Sequence, residues 1–320
     1  MRLTRLRTLV AAALAATGLL AAAGATAPAW ADGVTSYTLP GSTAYPESIT
    51  QRPGSTTFFV SGYGDGSVYR GTVGTAAMSV FVAGDSNHTV AAGVKDDGQG
   101  HLFVVRGRQQ LIDVYDDTTG ALVTELSTAS FGSGGMLNDI AFGPDGTGYV
   151  TDSYLPYVFR ITRDSSGAFT VDKWLSLSGT AMTYTSGGGV AGVNANGLAV
   201  TPDGRYLLLD QTNKDALFRV EISSGTVAWI DTSGADLGYP DGFNLVDGTG
   251  YIAGNTANIV SELTFNSDYS KATLVRQLTD PAFAQPSAAL PVDGSLLVTE
   301  FQHNTATPSL PFTVTALPLS

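Results

Sequence analysis

A phrase that returns about every 45 residues constrains this chain more than any other feature. Asn138-Asp139-Ile140-Ala141-Phe142-Gly143-Pro144-Asp145-Gly146 recurs as Asn196-Gly197-Leu198-Ala199-Val200-Thr201-Pro202-Asp203-Gly204. Shorter copies open on Asp241 and Ser287, at residues 241–248 and 287–294. Each copy leads into an apolar run, at residues 149–151, 206–209, 251–253 and 296–299. A unit this small cannot bury a face alone. Repeats of short strands at this period stack around an axis as a β-propeller, so equivalent positions of distant repeats converge.

Six repeats are expected, opening near Glu47, Ala91 or Ala92, Asn138, Asn196, Asp241 and Ser287. The predicted fold is all-β: a six-bladed propeller of four-stranded antiparallel blades. The last repeat has runs at residues 295–299 and 312–316 but no fourth strand, while residues 35–39 precede the first repeat and are spare. Placing that N-terminal strand on the last blade removes two open edges. Asp96, Asp145, Asp203, Asp247 and Asp293 stand in Asp-Gly or related pairs that suit tight hairpins, so they are turn residues rather than calcium loops.

Residues 1–31 resemble a secretory signal peptide. Arg2, Arg5 and Arg7 precede an Ala/Leu-rich stretch, and Ala29-Trp30-Ala31 offers a small-x-small cleavage site. The remaining 32–320 are expected to form a single secreted, monomeric domain. The formal charge of −12, made more negative by losing the three arginines, and the lack of a basic run speak against nucleic acid or anionic membranes as partners. The absence of cysteine excludes disulfides, thiolate zinc sites and a cysteine nucleophile. No Gly-x-Ser-x-Gly elbow, phosphate loop or zinc-hydrolase helix motif is present. A small molecule is the expected partner.

The polar residue opening each repeat lies just before the innermost strand, and the C-terminal end of the second strand returns to the same face. A central ring of Glu47, Asn138, Asn196, Asp241 and Ser287 is therefore expected. Around it should stand Tyr63, Arg106, Arg108, Asp152, Asp210, Asn255, Glu300 and His303, with Met136, Tyr154 and Tyr184 near the mouth. Two carboxylates and two amide carbonyls form an oxygen-only cage, suited to Ca2+ or another hard divalent cation. Single Asn or Asp residues at strand starts commonly do no more than bond local backbone; four at equivalent positions point to a metal site. His88 and His303 are candidate proton shuttles, and His101 is expected to be structural.

These openings, the Pro-Asp-Gly turns and Tyr239-Pro240-Asp241-Gly242 resemble the senescence-marker-protein/gluconolactonase (regucalcin-like) family over about residues 36–320. The resemblance implies a six-bladed propeller, a divalent metal held by Glu47, Asn196 and Asp241, and Asn138 contacting metal or substrate. It also implies lactone hydrolysis with Asp241 as base or nucleophile. Where the family's sugar lactonases commonly carry arginine, this chain has Met136, which points to a more apolar substrate. A metal-dependent cyclase, lyase or isomerase, or a non-catalytic binding or scaffold propeller, are the alternatives.

Overall fold

Short runs rich in β-branched and aromatic residues, punctuated by Gly, Asp and Pro, become stable only by pairing laterally and burying a face. The computed structural model describes residues 33–319; the expected signal peptide lies outside them. The chain begins with β1 (Ser36–Thr38), then β2 (Pro46–Gln51), β3 (Thr57–Gly62), β4 (Val68–Thr72) and β5 (Thr75–Val82). Next come β6 (Val94–Asp96), β7 (His101–Val105), β8 (Leu111–Asp116) and β9 (Leu122–Ser127), then β10 (Leu137–Phe142), β11 (Gly148–Asp152), β12 (Tyr157–Arg163) and β13 (Phe169–Ser176). They are followed by β14 (Ala195–Val200), β15 (Tyr206–Gln211), β16 (Ala216–Glu221) and β17 (Thr226–Ile230), and by β18 (Pro240–Val246), β19 (Thr249–Gly254), β20 (Ile259–Phe265) and β21 (Ala272–Leu278). The last strands are β22 (Pro286–Val292), β23 (Ser295–Glu300) and β24 (Thr313–Pro318).

The strands β6–β9, β10–β13, β14–β17 and β18–β21 form four separate four-stranded antiparallel sheets. The rest form one eight-stranded sheet in the order β2-β3-β4-β5-β1-β24-β23-β22. Within it β1 pairs antiparallel with β24, Ser36 opposite Thr315 and Thr38 opposite Thr313, so the spare N-terminal strand joins the C-terminal one. A single parallel bridge, Thr38 opposite Ala77, pairs β1 with β5. Buried Tyr37 and Leu39 carry this junction into the core.

The first strand of each group packs on the first of the next: β2 on β6, β6 on β10, β10 on β14, β14 on β18, β18 on β22, and β22 back on β2. This closed ring sets the axis of an all-β propeller. Neighbouring sheets bury alternate residues against each other. Phe103, Ile140, Val150 and Phe159 form one such layer, and Leu198, Leu207, Phe218 and Val158 another. Each such side chain contributes about 1.5–3 kcal/mol of burial.

Candidate active site and metal centre

Five of the inner strands share one irregularity. The register slips between Pro46 and Ile49, Leu137 and Ile140, Ala195 and Leu198, Pro240 and Phe243, and Pro286 and Ala289. Two residues in each strand leave the ladder, and the first is the ring residue: Glu47, Asn138, Asn196, Asp241 or Ser287. Such bulges bend a strand and re-aim its side chains. The strand β6 pairs without a break and contributes no polar ring residue.

The second strand of each group supplies three successive positions with different duties. The first bonds the backbone N–H freed by the bulge: Ser48 N–H to Ser61 Oγ at 2.9 Å, Asp139 N–H to Thr151 Oγ1 at 3.2 Å, Ala288 N–H to Thr299 Oγ1 at 2.9 Å. Asp210 holds this position in β15, fully buried behind Gly197, whose backbone lowers its pKa against the stronger upward push of burial. The second position clips a loop. Asp152 Oδ1 accepts the N–H groups of Met136, Tyr154 and Leu155, all at 2.9 Å. Glu300 Oε2 accepts Ala284 N–H at 2.6 Å. The third position faces the ring: Tyr63, Ser153, Thr212, Asn255 and Phe301.

Those third-position groups orient the ring. Asn138 Nδ2 donates to Ser153 Oγ at 2.8 Å. Asn196 Nδ2 donates to Thr212 Oγ1 at 2.9 Å and to Asp241 Oδ1 at 2.8 Å. Asn255 Nδ2 donates to Asp241 Oδ2 at 2.9 Å. With their amide nitrogens engaged by neighbouring side chains, Asn138 and Asn196 are left with carbonyl oxygens to offer the axis. Asn138 Oδ1 and Glu47 Oε2 are buried and have no partner. Glu47, Asn138, Asn196 and Asp241 line one cavity of about 340 Å³. Burial, then the Asp241 and Asp139 charges, push the Glu47 pKa well up; burial raises Asp241 to about 7 against the two amide donors. Unpartnered acceptors and two carboxyls with raised pKa values are a donor set that a hard divalent cation fits.

Met136, Tyr154, Asn255 and His303 also line the cavity, together with Tyr63, Tyr239, Val190, Val193 and Phe301. The His303 ring stacks on Phe301 with centroids 5.0 Å apart and meets the edge of Tyr63 at 4.9 Å; burial against these rings lowers its pKa. Arg108 donates to Tyr154 Oη at 2.8 Å, with its guanidinium 4.6 Å from the ring centroid. The pair separates the cavity from a second one bounded by Tyr184 and Gly187.

Several expected pocket residues do other work. Arg106 is fully buried, bonded to Asp113, Tyr115 and the Gly66 carbonyl, and Arg108 takes its place at the cavity. Asp152 and Glu300 bind loop backbone as above, and Asp210 is buried with both carboxyl oxygens unpartnered, off the cavity wall. Tyr184 donates to the Asp152 carbonyl at 2.7 Å and lines the second cavity rather than the axial one. Ser287 donates to the Glu47 carbonyl at 2.6 Å and faces a small chamber beneath the ring. His88 lies away from the cavity, among Asp85, Asp113 and Glu125. His101 pairs with Asp97 at 2.8 Å and packs on Phe169.

Sequence reasoning did not single out Asp139. As second bulge residue it borders the small chambers beneath the ring, where Lys95 also lies and donates to Asn244 Oδ1 at 3.2 Å. Burial raises Asp139 to about 6, while the Ile140 N–H and Lys95 hold it down.

The chain is thus a β-propeller with a polar, oxygen-lined axial cavity. No family model matches the sequence, and no curated protein matches it. Solved structures do. The Malassezia sympodialis allergen Mala s 1 superposes with a TM-score of 0.65 at 13% identity, over 89% of this chain and 96% of that one. The calcium-binding protein regucalcin of Agrobacterium tumefaciens gives 0.61 at 16%, over 88% and 95%. Inactive virginiamycin B lyase of Staphylococcus aureus, solved with quinupristin, gives 0.58 at 14%, over 88% and 83%. At these identities the likeness shows the fold.

Proposed function

We propose that this protein is a secreted, monomeric, six-bladed propeller that hydrolyses lactones or related esters with Ca2+ or another hard divalent cation. The count of six treats the eight-stranded sheet as two blades touching at the Thr38–Ala77 bridge. The observation that carries the reading is the convergence of Glu47, Asn138, Asn196 and Asp241 on one cavity, with Glu47 Oε2 and Asn138 Oδ1 unpartnered. These four would hold the cation, which when bound supplies Lewis-acid polarisation of the ester carbonyl.

The chain's own residues do the rest. Asp241, fixed by Asn196 and Asn255, takes the proton of the attacking water as general base. His303, on the cavity wall, relays a proton to the departing alkoxide. Met136, Val190, Val193 and Phe301 exclude water and favour apolar, medium-chain lactones over gluconolactone.

Metal analysis of the purified protein, followed by a lactone and ester panel with and without chelator, tests this. Chelator-sensitive turnover that collapses in Asp241→Asn while the fold survives is expected. A protein with no affinity for divalent ions and no esterase activity would sink the reading. The same basic carboxyl beside a cation could instead abstract a carbon-bound proton, and the structural likeness to a lyase supports keeping that reaction in the panel. Incorporation of oxygen from labelled water marks hydrolysis; an unsaturated product marks elimination.

A further inference from the structure

On the outer part of the propeller, His88 comes off the crossing from β5 to β6 and points its Nε2 at two carboxylates. Glu125 Oε2 on β9 is 3.3 Å away and Asp113 Oδ2 on β8 is 3.7 Å away. One donor atom from each of the three residues falls within 4.8 Å of the others. A charge-assisted N–H···O bond closes to about 2.7–2.9 Å, so neither separation is a short ion pair. Two donors bound about 2.1 Å from a tetrahedral ion stand about 3.4 Å apart, close to the 3.3 Å between His88 Nε2 and Glu125 Oε2.

Three further observations agree. His88 Nδ1 meets Asp85 Oδ1 at 3.0 Å; a proton held there leaves Nε2 free to exchange its own proton for a metal, the arrangement of carboxylate–histidine–metal triads. Asp113 is completely buried, and its Oδ1 has no hydrogen-bond partner although Oδ2 accepts from Arg106 and Tyr115. The charged groups facing His88 are Asp85, Asp113, Glu125 and Arg106; with neutral imidazole they leave an excess of two negative charges, matching a divalent ion. The Glu125 and Asp85 side chains are 43% and 57% exposed, so an ion has a route in from solvent.

We propose that His88, Asp113 and Glu125 form a second metal site, remote from the axial cavity, that takes Zn2+ or a similar borderline transition-metal ion. One nitrogen and two carboxylate oxygens, with water in the fourth position, suit such an ion better than Ca2+. The ion staples the β5–β6 crossing to β8 and β9. The same crossing is bonded to Gln109 through Thr89 N–H at 3.1 Å and the Asn87 carbonyl. Gln109 adjoins Arg108, so the staple steadies one wall of the axial cavity.

Chelator-stripped full-length mature protein, titrated with Zn2+ alone and with Co2+ as a spectroscopic probe, tests this. One Zn2+ should bind with unchanged affinity in a Glu47→Gln/Asp241→Ala variant, which removes the axial acids. His88→Gln should abolish it and erase the visible bands of four-coordinate Co2+. Asp85→Asn, which keeps an oxygen for the loop N–H groups but removes the charge beside the histidine, should weaken binding about 10-fold. A His88→Gln protein that binds Zn2+ as wild type overturns the site, as does Zn2+ binding lost only in the axial variant. Circular dichroism and the thermal midpoint of each stripped variant separate a lost ligand from a lost fold.

Discussion

Replacing Asp241 by Asn should stabilise the metal-stripped protein at pH 8 and destabilise it at pH 4. The carboxyl's ordinary value is 3.8, and burial holds it at about 7 in the native state. Native protein therefore keeps a proton that the unfolded chain releases, and stability falls as pH rises from about 4 to about 7, then levels. A gap of about 3 pH units at 1.36 kcal/mol each amounts to about 4 kcal/mol. The amide never ionises, so the variant escapes that loss. It does forfeit one bond: Asn196 and Asn255 both donate to Asp241, and Asn has a single oxygen to receive them. That costs about 1–2 kcal/mol. Urea unfolding in chelator should find the variant about 1–2 kcal/mol weaker at pH 4 and about 2–3 kcal/mol stronger at pH 8, the two profiles crossing between. Glu300, raised by burial without any contribution from Asp241, gives both proteins the same background slope, whereas Glu47 and Asp210, which the Asp241 charge pushes up, relax downward in the variant and add to its advantage at pH 8. Saturating Ca2+ should reverse the order at pH 8, because the cation binds the carboxylate and so stabilises wild type. Parallel profiles in chelator would refute the buried, protonated carboxyl.

Other outcomes follow from local geometry. A methyl group at Gly197 would stand 2.5 Å from the Asp241 carbonyl and the Phe243 nitrogen, both backbone, so Gly197→Ala should lower stability by about 1–3 kcal/mol in a denaturant melt. Deleting the residues before Pro46 strips β1 from β24 and exposes the partners of Tyr37 and Leu39; a loss of roughly 3–6 kcal/mol and aggregation are expected on size-exclusion chromatography. Arg108→Ala breaks the bond to Tyr154 and removes the arginine from the cavity wall, so KM should rise for acid-bearing lactones and stay level for neutral ones. Equal effects on both substrate types would mean that Arg108 only braces Tyr154.

The inner-strand phrase could be read directly because its information is local. Strand alternation, Asp-Gly turns and a polar opening residue are written within each repeat, and the repeat length alone brings Glu47, Asn138, Asn196 and Asp241 to one axis. The N-terminal closure was legible for the same reason: one repeat lacked a strand and one strand lacked a repeat. The outer shell was not. Along a strand a slip of one residue turns a side chain to the other face, and the bulges introduce such slips without marking them in the sequence. Asp152 and Asp210 look alike as acids at the end of a second strand, yet they occupy different register positions and neither faces the cavity, whereas the plainer Thr212 and Tyr63 do. Arg106 and Arg108 are separated by Gly107, whose positive φ of 54° opens a tight turn that sends one arginine into the core and leaves the other at the cavity. His88 met Asp113 and Glu125 only because β8 and β9 pass beneath the crossing that carries it, a proximity across 25 to 37 residues that no spacing announces. Periodicity settles what each repeat contributes to the axis; everything beyond the axis depends on register and on loop packing between neighbouring sheets, which exist only once the ring has closed.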